Sequence, residues 1–285
     1  MAAAQAVSSS RSRFRSMELV LGILFTGSIS LAALLSPILF PDGGESMDLM
    51  ARLIPPFQDW NHILGTDPLG RDVLARVIVG GRISLVVGIL SVLGGVVLGT
   101  LVGLVAGYYR GIPEMLLMRF VDIQLALPFI LVAIMFLAIF GAGIDKVIFV
   151  MIATQWVQYA RVVRGSVLAL REREFIVSAH AIGVGSGRII LTHILPNVLG
   201  PIVILMTLYV ANNILLESSL TFLGLGVDPL IPSWGGMLAD GRTYLQTAWW
   251  VSVFPGLAIM FTVLGLNLLG DWLRDYLDPT GQTSK

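Results

Sequence analysis

The sequence has no cysteine at all and little charge. The missing cysteine excludes disulfides, iron–sulfur clusters and cysteine-based zinc sites. Charged residues make up 13% of the 285, about half of what soluble domains carry. The formal net charge is zero, so no overall basicity points to nucleic acid and no acidity to a cationic partner. The three histidines, His62, His180 and His193, have no metal-ligand spacing. No G-x-x-x-x-G-K motif ending in Ser or Thr is present, so the chain has no phosphate-binding loop of that kind. No Ser-His-Asp order with a nucleophile elbow occurs either, and no catalytic or metal-binding residue is assigned.

Apolar residues fill the space that charge leaves, at 56% of the chain. A bilayer core takes about 20 mostly apolar residues per helix. Six stretches qualify: Leu19–Phe40, Ile83–Tyr109, Ile123–Phe140, Val147–Val163, Val198–Leu220 and Trp249–Leu269. The first follows Arg11, Arg13 and Arg15, but it is longer than the apolar core of a cleaved signal and ends in Phe40-Pro41, so it reads as a retained span. The expectation is an all-α integral membrane protein of six transmembrane helices. Residues 1–82 hold an N-terminal tail, the first span and an extracytoplasmic segment; residues 83–285 form a five-helix core.

Basic residues favour the cytoplasmic side. The three N-terminal arginines place that terminus inside, and six spans return the C-terminus, with Arg274 and Lys285, to the same side. Gly95, Gly99, Gly103 and Gly107 recur every four residues in the second span and form one helix face, which reads as a close-packing strip. Pro128, Pro201 and Pro255 lie in or near spans and bend helices.

Residues 161–197 make the longest cytoplasmic segment and hold five arginines, Arg161, Arg164, Arg171, Arg173 and Arg188. Glu174–Ile182 reads as a short helix with Phe175, Ala179 and Ile182 on one apolar face, closed by a left-handed cap at Gly183. A second helix begins near Arg188 and meets Pro196 at the membrane. Such an element either lies on the membrane surface or docks into a groove on a partner.

Other polar positions carry two readings each. Glu217 and the pair Asn212 and Asn213 either face a solute pathway or sit in the interface and bind a neighbouring helix. Gln155 and Gln158, beside Trp156 and Tyr159, either line a pathway or join helices. Asp67, Arg71 and Asp72 either contact a partner or belong to a surface helix capped by Thr66 or Asp67, with Pro68 at its first position. Residues 229–250, rich in aromatics, read as an outer loop or short helix at the membrane interface.

The segment 161–197 resembles the EAA loop of ABC importer permeases. Ala179, Gly183, Leu195 and Pro196 match its pattern, while Val177, Ser178 and His193 stand where that pattern has Glu, Ala and an apolar residue. Glu174-Phe175 and the run His193 to Asn197 are similar to the peptide branch of the family. Two further stretches resemble the same branch, the second membrane subunit of dipeptide and oligopeptide importers: His62 to Leu85, and Glu217 to Gly226 with its continuation through Trp234-Gly235, Phe254-Pro255-Gly256 and Asn267 to Pro279.

The resemblance implies a permease subunit of the bacterial cytoplasmic (inner) membrane that does no covalent chemistry and has no cofactor of its own. It implies a second homologous permease, two ATPase subunits carrying ATP and Mg, and an extracytoplasmic solute-binding protein. Contact with the ATPases falls to Glu174, Phe175, Ser178, Ala179, His180, Gly183, Arg188, Leu195 and Pro196. The residue-level rivals are a self-contained channel or secondary transporter, which would need coupling carboxylates inside the spans, and a membrane enzyme, which would need converging catalytic groups.

Overall fold

The computed structural model describes residues 2–277, with side chains from Met17 onward. Pro279 and Lys285 therefore lie outside the described residues, as do the side chains of Arg11, Arg13 and Arg15. The elements are α1 (Ala2–Leu39), α2 (Val73–Tyr109), α3 (Gly111–Leu125), α4 (Phe129–Phe140), α5 (Ile144–Arg171), α6 (Glu174–Ala181), α7 (Ser186–Ile189), α8 (Leu195–Phe222), α9 (Trp234–Gly241) and α10 (Trp250–Leu277). Among the described residues there is no strand, only an isolated bridge between Thr66 and Asp72.

Four helices are long and apolar enough to cross a membrane: Met17–Leu39, Val73–Tyr109, Ser186–Phe222 and Trp250–Leu277. The expected third span is not one straight helix. It breaks before Pro128, and α3 and α4 meet at 83°, the geometry of a broken span or of a re-entrant loop. Proline bars the preceding residue from helical geometry and supplies no N–H, so the ladder stops at Leu125 and restarts at Phe129 with Pro128 as an extended cap. The expected fourth span lies within α5, which is long enough but diluted by Gln155, Gln158, Arg161 and Arg164.

The third long helix also starts earlier than the apolar run. Leu195 donates to the Ile190 carbonyl, five residues back, so Ile190–Ile194 form a π turn joining α7 to α8. Pro196 follows at once and has no N–H to restore the tighter ladder. The second helix expected near Arg188 is thus the first turn of a run that continues to Phe222.

Helix α2 is the spine, packed along α5 and against α8 and α1, while α10 covers α1, α8 and α9. Its glycine strip does what the four-residue spacing predicts. A Cβ on Gly103 would fall 2.7 Å from the Ala160 carbonyl oxygen and 2.7 Å from Val163 Cβ, and one on Gly107 2.7 Å from Val167 Cβ. Lipid offers apolar side chains the same environment as a neighbouring helix, so close backbone approach supplies the attraction. On other sides of α2, Gly88 admits Ile214 of α8 and Gly81 admits the Trp234 ring of α9.

Residues 40–72 form a compact connection over the far end of α2. Thr66 and Asp67 exchange backbone bonds with Ile54, Leu53 and Arg71, and Trp250 Nε1 donates to the Thr66 carbonyl at 3.0 Å. Neither Thr66 nor Asp67 caps a helix. Asp72 caps α2 by accepting from Ala75 N at 2.7 Å. The fully buried Asp67 instead accepts from Leu69 N, Arg71 N, Arg71 Nε and Arg76 Nη1, at 2.6 to 3.0 Å. Residues 229–250 contain the short helix α9, anchored by Trp234, which is fully buried and whose Nε1 donates to the Val77 carbonyl at 2.8 Å.

Candidate functional site

Two places hold the functional candidates: the short helix α6 at one end of the bundle, and a cavity between α4, α5 and α8.

Helix α6 is eight residues long and hangs between α5 and α7. Its inward face is Ile176 and Ala179, spaced i, i+3, which enter a core with Leu104 and Tyr108 of α2, Val163 and Val167 of α5, and Ile189, Ile194 and Val198. Of the apolar face read from the sequence, Phe175, Ala179 and Ile182, Ala179 turns into this core while the other two stay open for a partner or the membrane surface. Phe175 is 47% and Ile182 81% exposed. A helix this short has room for two anchoring residues, and the π turn and α8 set which face they take.

The end of α6 is a Schellman motif. Val184 N donates to the Ala179 carbonyl and Gly183 N to the His180 carbonyl, both at 3.1 Å, with Gly183 at φ +82°. This left-handed cap was legible in the sequence. The lateral tie was not: Tyr108 Oη and His180 Nε2 share a 3.0 Å hydrogen bond, and the two rings stack with 12° between planes. Arg171 closes the same joint by donating to the Tyr108 carbonyl and lying over its ring. Only an aromatic residue at the last turn of α2 hinted at it.

The remaining candidates of this region lie around that core. Glu174, Ser178 and Arg188 are exposed, as is Pro196. Leu195 packs at the edge of the core, and His193 lies edge-on to Phe175 at 6.4 Å between ring centroids. Ion pairs brace α3 against α5 here, Arg161 with Asp122 at 2.6 Å and Arg164 with Glu114, and Arg110 bonds Glu172 at 2.6 Å.

The second place is a cavity of about 520 Å³. The Pro128 bend, α5 and α8 wall it, and Gln155, Gln158, Tyr209 and Asn212 reach it among Phe129, Phe136 and Phe149. The structure thus brings three of the five polar pathway candidates together and leaves two apart. Asn213 and Glu217 are fully buried elsewhere in the chain. Glu217 accepts from Ser84 Oγ and Thr221 Oγ1, both at 2.9 Å, and from Ser218 Oγ at 3.4 Å, which ties α8 to α2. It does not line the cavity, because those hydroxyls enclose it within the helix pair.

The chain is thus a bundle of membrane-length helices with a short helix anchored at one end and a cavity between α4, α5 and α8. Residues 99–280 match the model of the family described as binding-protein-dependent transport system inner membrane component. The chain belongs to this family and is a permease subunit of an ABC importer.

The relatives are close. The dipeptide transport system permease protein DppC of Alkalihalophilus pseudofirmus is 41% identical, over 96% of this chain and 91% of its own length. The oligopeptide transport system permease protein OppC of Haemophilus influenzae is 38% identical over 93% of this chain and 86% of its own. The glutathione transport system permease protein GsiD of Pectobacterium atrosepticum is 44% identical over 76% and 72%. Among solved structures, a chain of the inward-facing MetNI methionine ABC transporter shares the fold at a TM-score of 0.58 and 18% identity, covering 72% of this chain and 96% of that one.

Proposed function

We propose that this chain forms half of an inward pathway for di- or oligopeptides in an ATP-driven importer, and that α6 is the element its ATPase partners push. The observation that carries the reading is the two-sidedness of α6. Ile176 and Ala179 fix it to the bundle, while Phe175, Val177 and Ile182 stand bare on the other side. Bare apolar residues on a rigidly capped helix suit a groove on another protein. The peptide substrate is supported by the relatives, two of which are named for dipeptide and oligopeptide transport.

In this reading the chain crosses the inner membrane six times, through α1, α2, the bent pair α3–α4, α5, α8 with its preceding turns, and α10. Both termini and α6 lie in the cytoplasm, and residues 40–72 and 223–249 lie outside, where a solute-binding protein delivers its cargo. Residues 1–82 form a tail, one span and an outer segment, and residues 83–285 the five-span core. A second homologous permease completes the pathway. ATP and Mg sit on two partner ATPase subunits. Glu174, Phe175, Ser178, His180 and Arg188 meet the ATPases directly, and Ala179, Gly183, Leu195 and Pro196 hold the surface in shape.

The test is to tag the chain in its native host, solubilise it mildly, identify what copurifies, and measure ATP hydrolysis and dipeptide uptake after reconstitution. Recovery with two ATPases and a second permease, with peptide uptake that needs ATP, is the expected result. A chain that purifies alone and moves solute without ATP would establish a self-contained channel or secondary transporter instead.

A further inference from the structure

The cavity between α4, α5 and α8 is lined by uncharged side chains. None of its lining residues is a lysine, arginine, histidine, aspartate or glutamate. Its polar groups are amides and hydroxyls, and its walls include four aromatic rings, those of Phe129, Phe136, Phe149 and Tyr209. Two of the polar groups are already engaged: Gln124 Nε2 donates to the Ala153 carbonyl at 2.6 Å, and Thr154 Oγ1 to the Val150 carbonyl at 2.6 Å.

Gln155 is different. It is 7% exposed, and its Nε2 has no partner among the described residues. A buried amide donor left unpaired costs about 1–3 kcal/mol, so buried side-chain amides are normally satisfied. Gln158 lies three residues along the same helix, so the two amides share a face of α5, and Asn212 faces the cavity from α8. A volume of about 520 Å³ falls within the range of small-ligand pockets.

We infer that this cavity is a binding site for uncharged backbone groups of a peptide, with the Gln155 side-chain amide donating to a ligand carbonyl and Gln158 and Asn212 completing the contact. The inference rests on the reading of the chain as half of a peptide pathway and deepens it. Every peptide presents amide carbonyls and N–H groups, whatever its side chains. Amides can both donate and accept, so a wall of them matches the backbone without sorting side chains by charge. Aromatic rings add contact area that tolerates side chains of different shape. A fixed charge would break this neutrality, because it would hold peptides of opposite sign and repel those of the same sign.

The experiment uses the complete transporter, with its ATPases, partner permease and binding protein, in proteoliposomes. Uptake is measured for three radiolabelled dipeptides: Ala-Ala, Lys-Ala and Asp-Ala. Each is normalised to its own affinity for the binding protein. Gln155→Glu keeps the shape of the side chain and adds a carboxylate; Gln158→Glu does the same at a half-buried position that solvent reaches. Gln155→Leu removes the donor. Recovery of each variant with the ATPases establishes that it has assembled.

The expected result is that both Glu variants raise uptake of Lys-Ala relative to Asp-Ala by about tenfold over the wild type. Gln155→Leu is expected to slow all three dipeptides together by about 2- to 10-fold, as for one lost hydrogen bond. If the wild type carries the dipeptides and neither Glu variant changes their ranking, the cavity is not a peptide site. If the assembled wild type carries none of the three, the peptide reading itself falls and takes this inference with it.

Discussion

Gly183 sits at φ +82°, and nothing lies within 4 Å of where a Cβ would project. Any penalty for a side chain there is conformational rather than steric. The left-handed region costs an L-residue about 1–2 kcal/mol, more when it is β-branched. Gly183→Val is expected to loosen the Schellman cap and lower the ratio of peptide moved to ATP hydrolysed, with the chain still inserted. Gly183→Asn is expected to recover most of that ratio, since Asn tolerates the same geometry. Coupled uptake in proteoliposomes checks both, and normal coupling in the Val variant would count against α6 as a lever. Gly103 is the opposite case, in ordinary helical geometry but with no room. Gly103→Val drives a branched side chain into Ala160 and Val163 and is expected to cost about 1–3 kcal/mol, read as a lower melting temperature in detergent.

At the scale of elements, what the sequence made legible followed from periodicity. The four-residue glycine repeat marked a close-packing face on α2, and the structure supplies α5 as the helix that fills it. Four of the six apolar runs match the four membrane-length helices, two of them overrunning by a single residue. The Pro128 bend was visible as a proline, but its 83° angle was not, since the packing of α4 on α5 and α8 sets it. Which residues anchor α6 to its own bundle was not legible, because eight residues carry barely two turns. Phe175, Ala179, Ile182 and Ile176, Ala179 both fit a helical period, and the choice between them is made by residues of α2 and α8 remote in sequence.

That choice has a direct test. The chain has no cysteine, so single replacements report alone. Cysteines at Val177 and Ser178 are expected to react with a maleimide at least about tenfold faster than cysteines at Ile176 and Ala179. Bound ATPase subunits should protect the first pair. Equal rates at all four positions would mean that α6 is not anchored on the Ile176–Ala179 face.

Across the whole molecule, α2 joins two distant joints. Its last turn holds α6 through Tyr108 and His180. Its first turns enter an ion network of Asp67, Arg71, Arg76 and Asp240, the last of these contributed by α9. No local pattern joins Arg76 to Asp240, 164 residues apart, which is why sequence reading singled out Asp67 and Arg71 but not the network they belong to. Within it Asp67 is the hub: fully buried, it accepts from both arginines at 2.6 and 2.7 Å, while Asp240 stays 3.5 to 3.6 Å away and 43% exposed. Removing the hub leaves two guanidinium groups facing each other with a distant carboxylate between them. Breaking a buried pair in this way costs about 3–5 kcal/mol, because the charge left behind has lost its partner. Asp67→Asn is therefore expected to lower the melting temperature sharply, and Asp240→Asn only slightly. Asp67→Asn combined with Arg71→Met should be less damaging than the sum of the two single changes, since the second removes a charge that the first orphans. Melting curves of the four proteins in one detergent check the cycle. Strict additivity would mean that Asp67 and Arg71 are not coupled and that Asp67 is not the hub of the network.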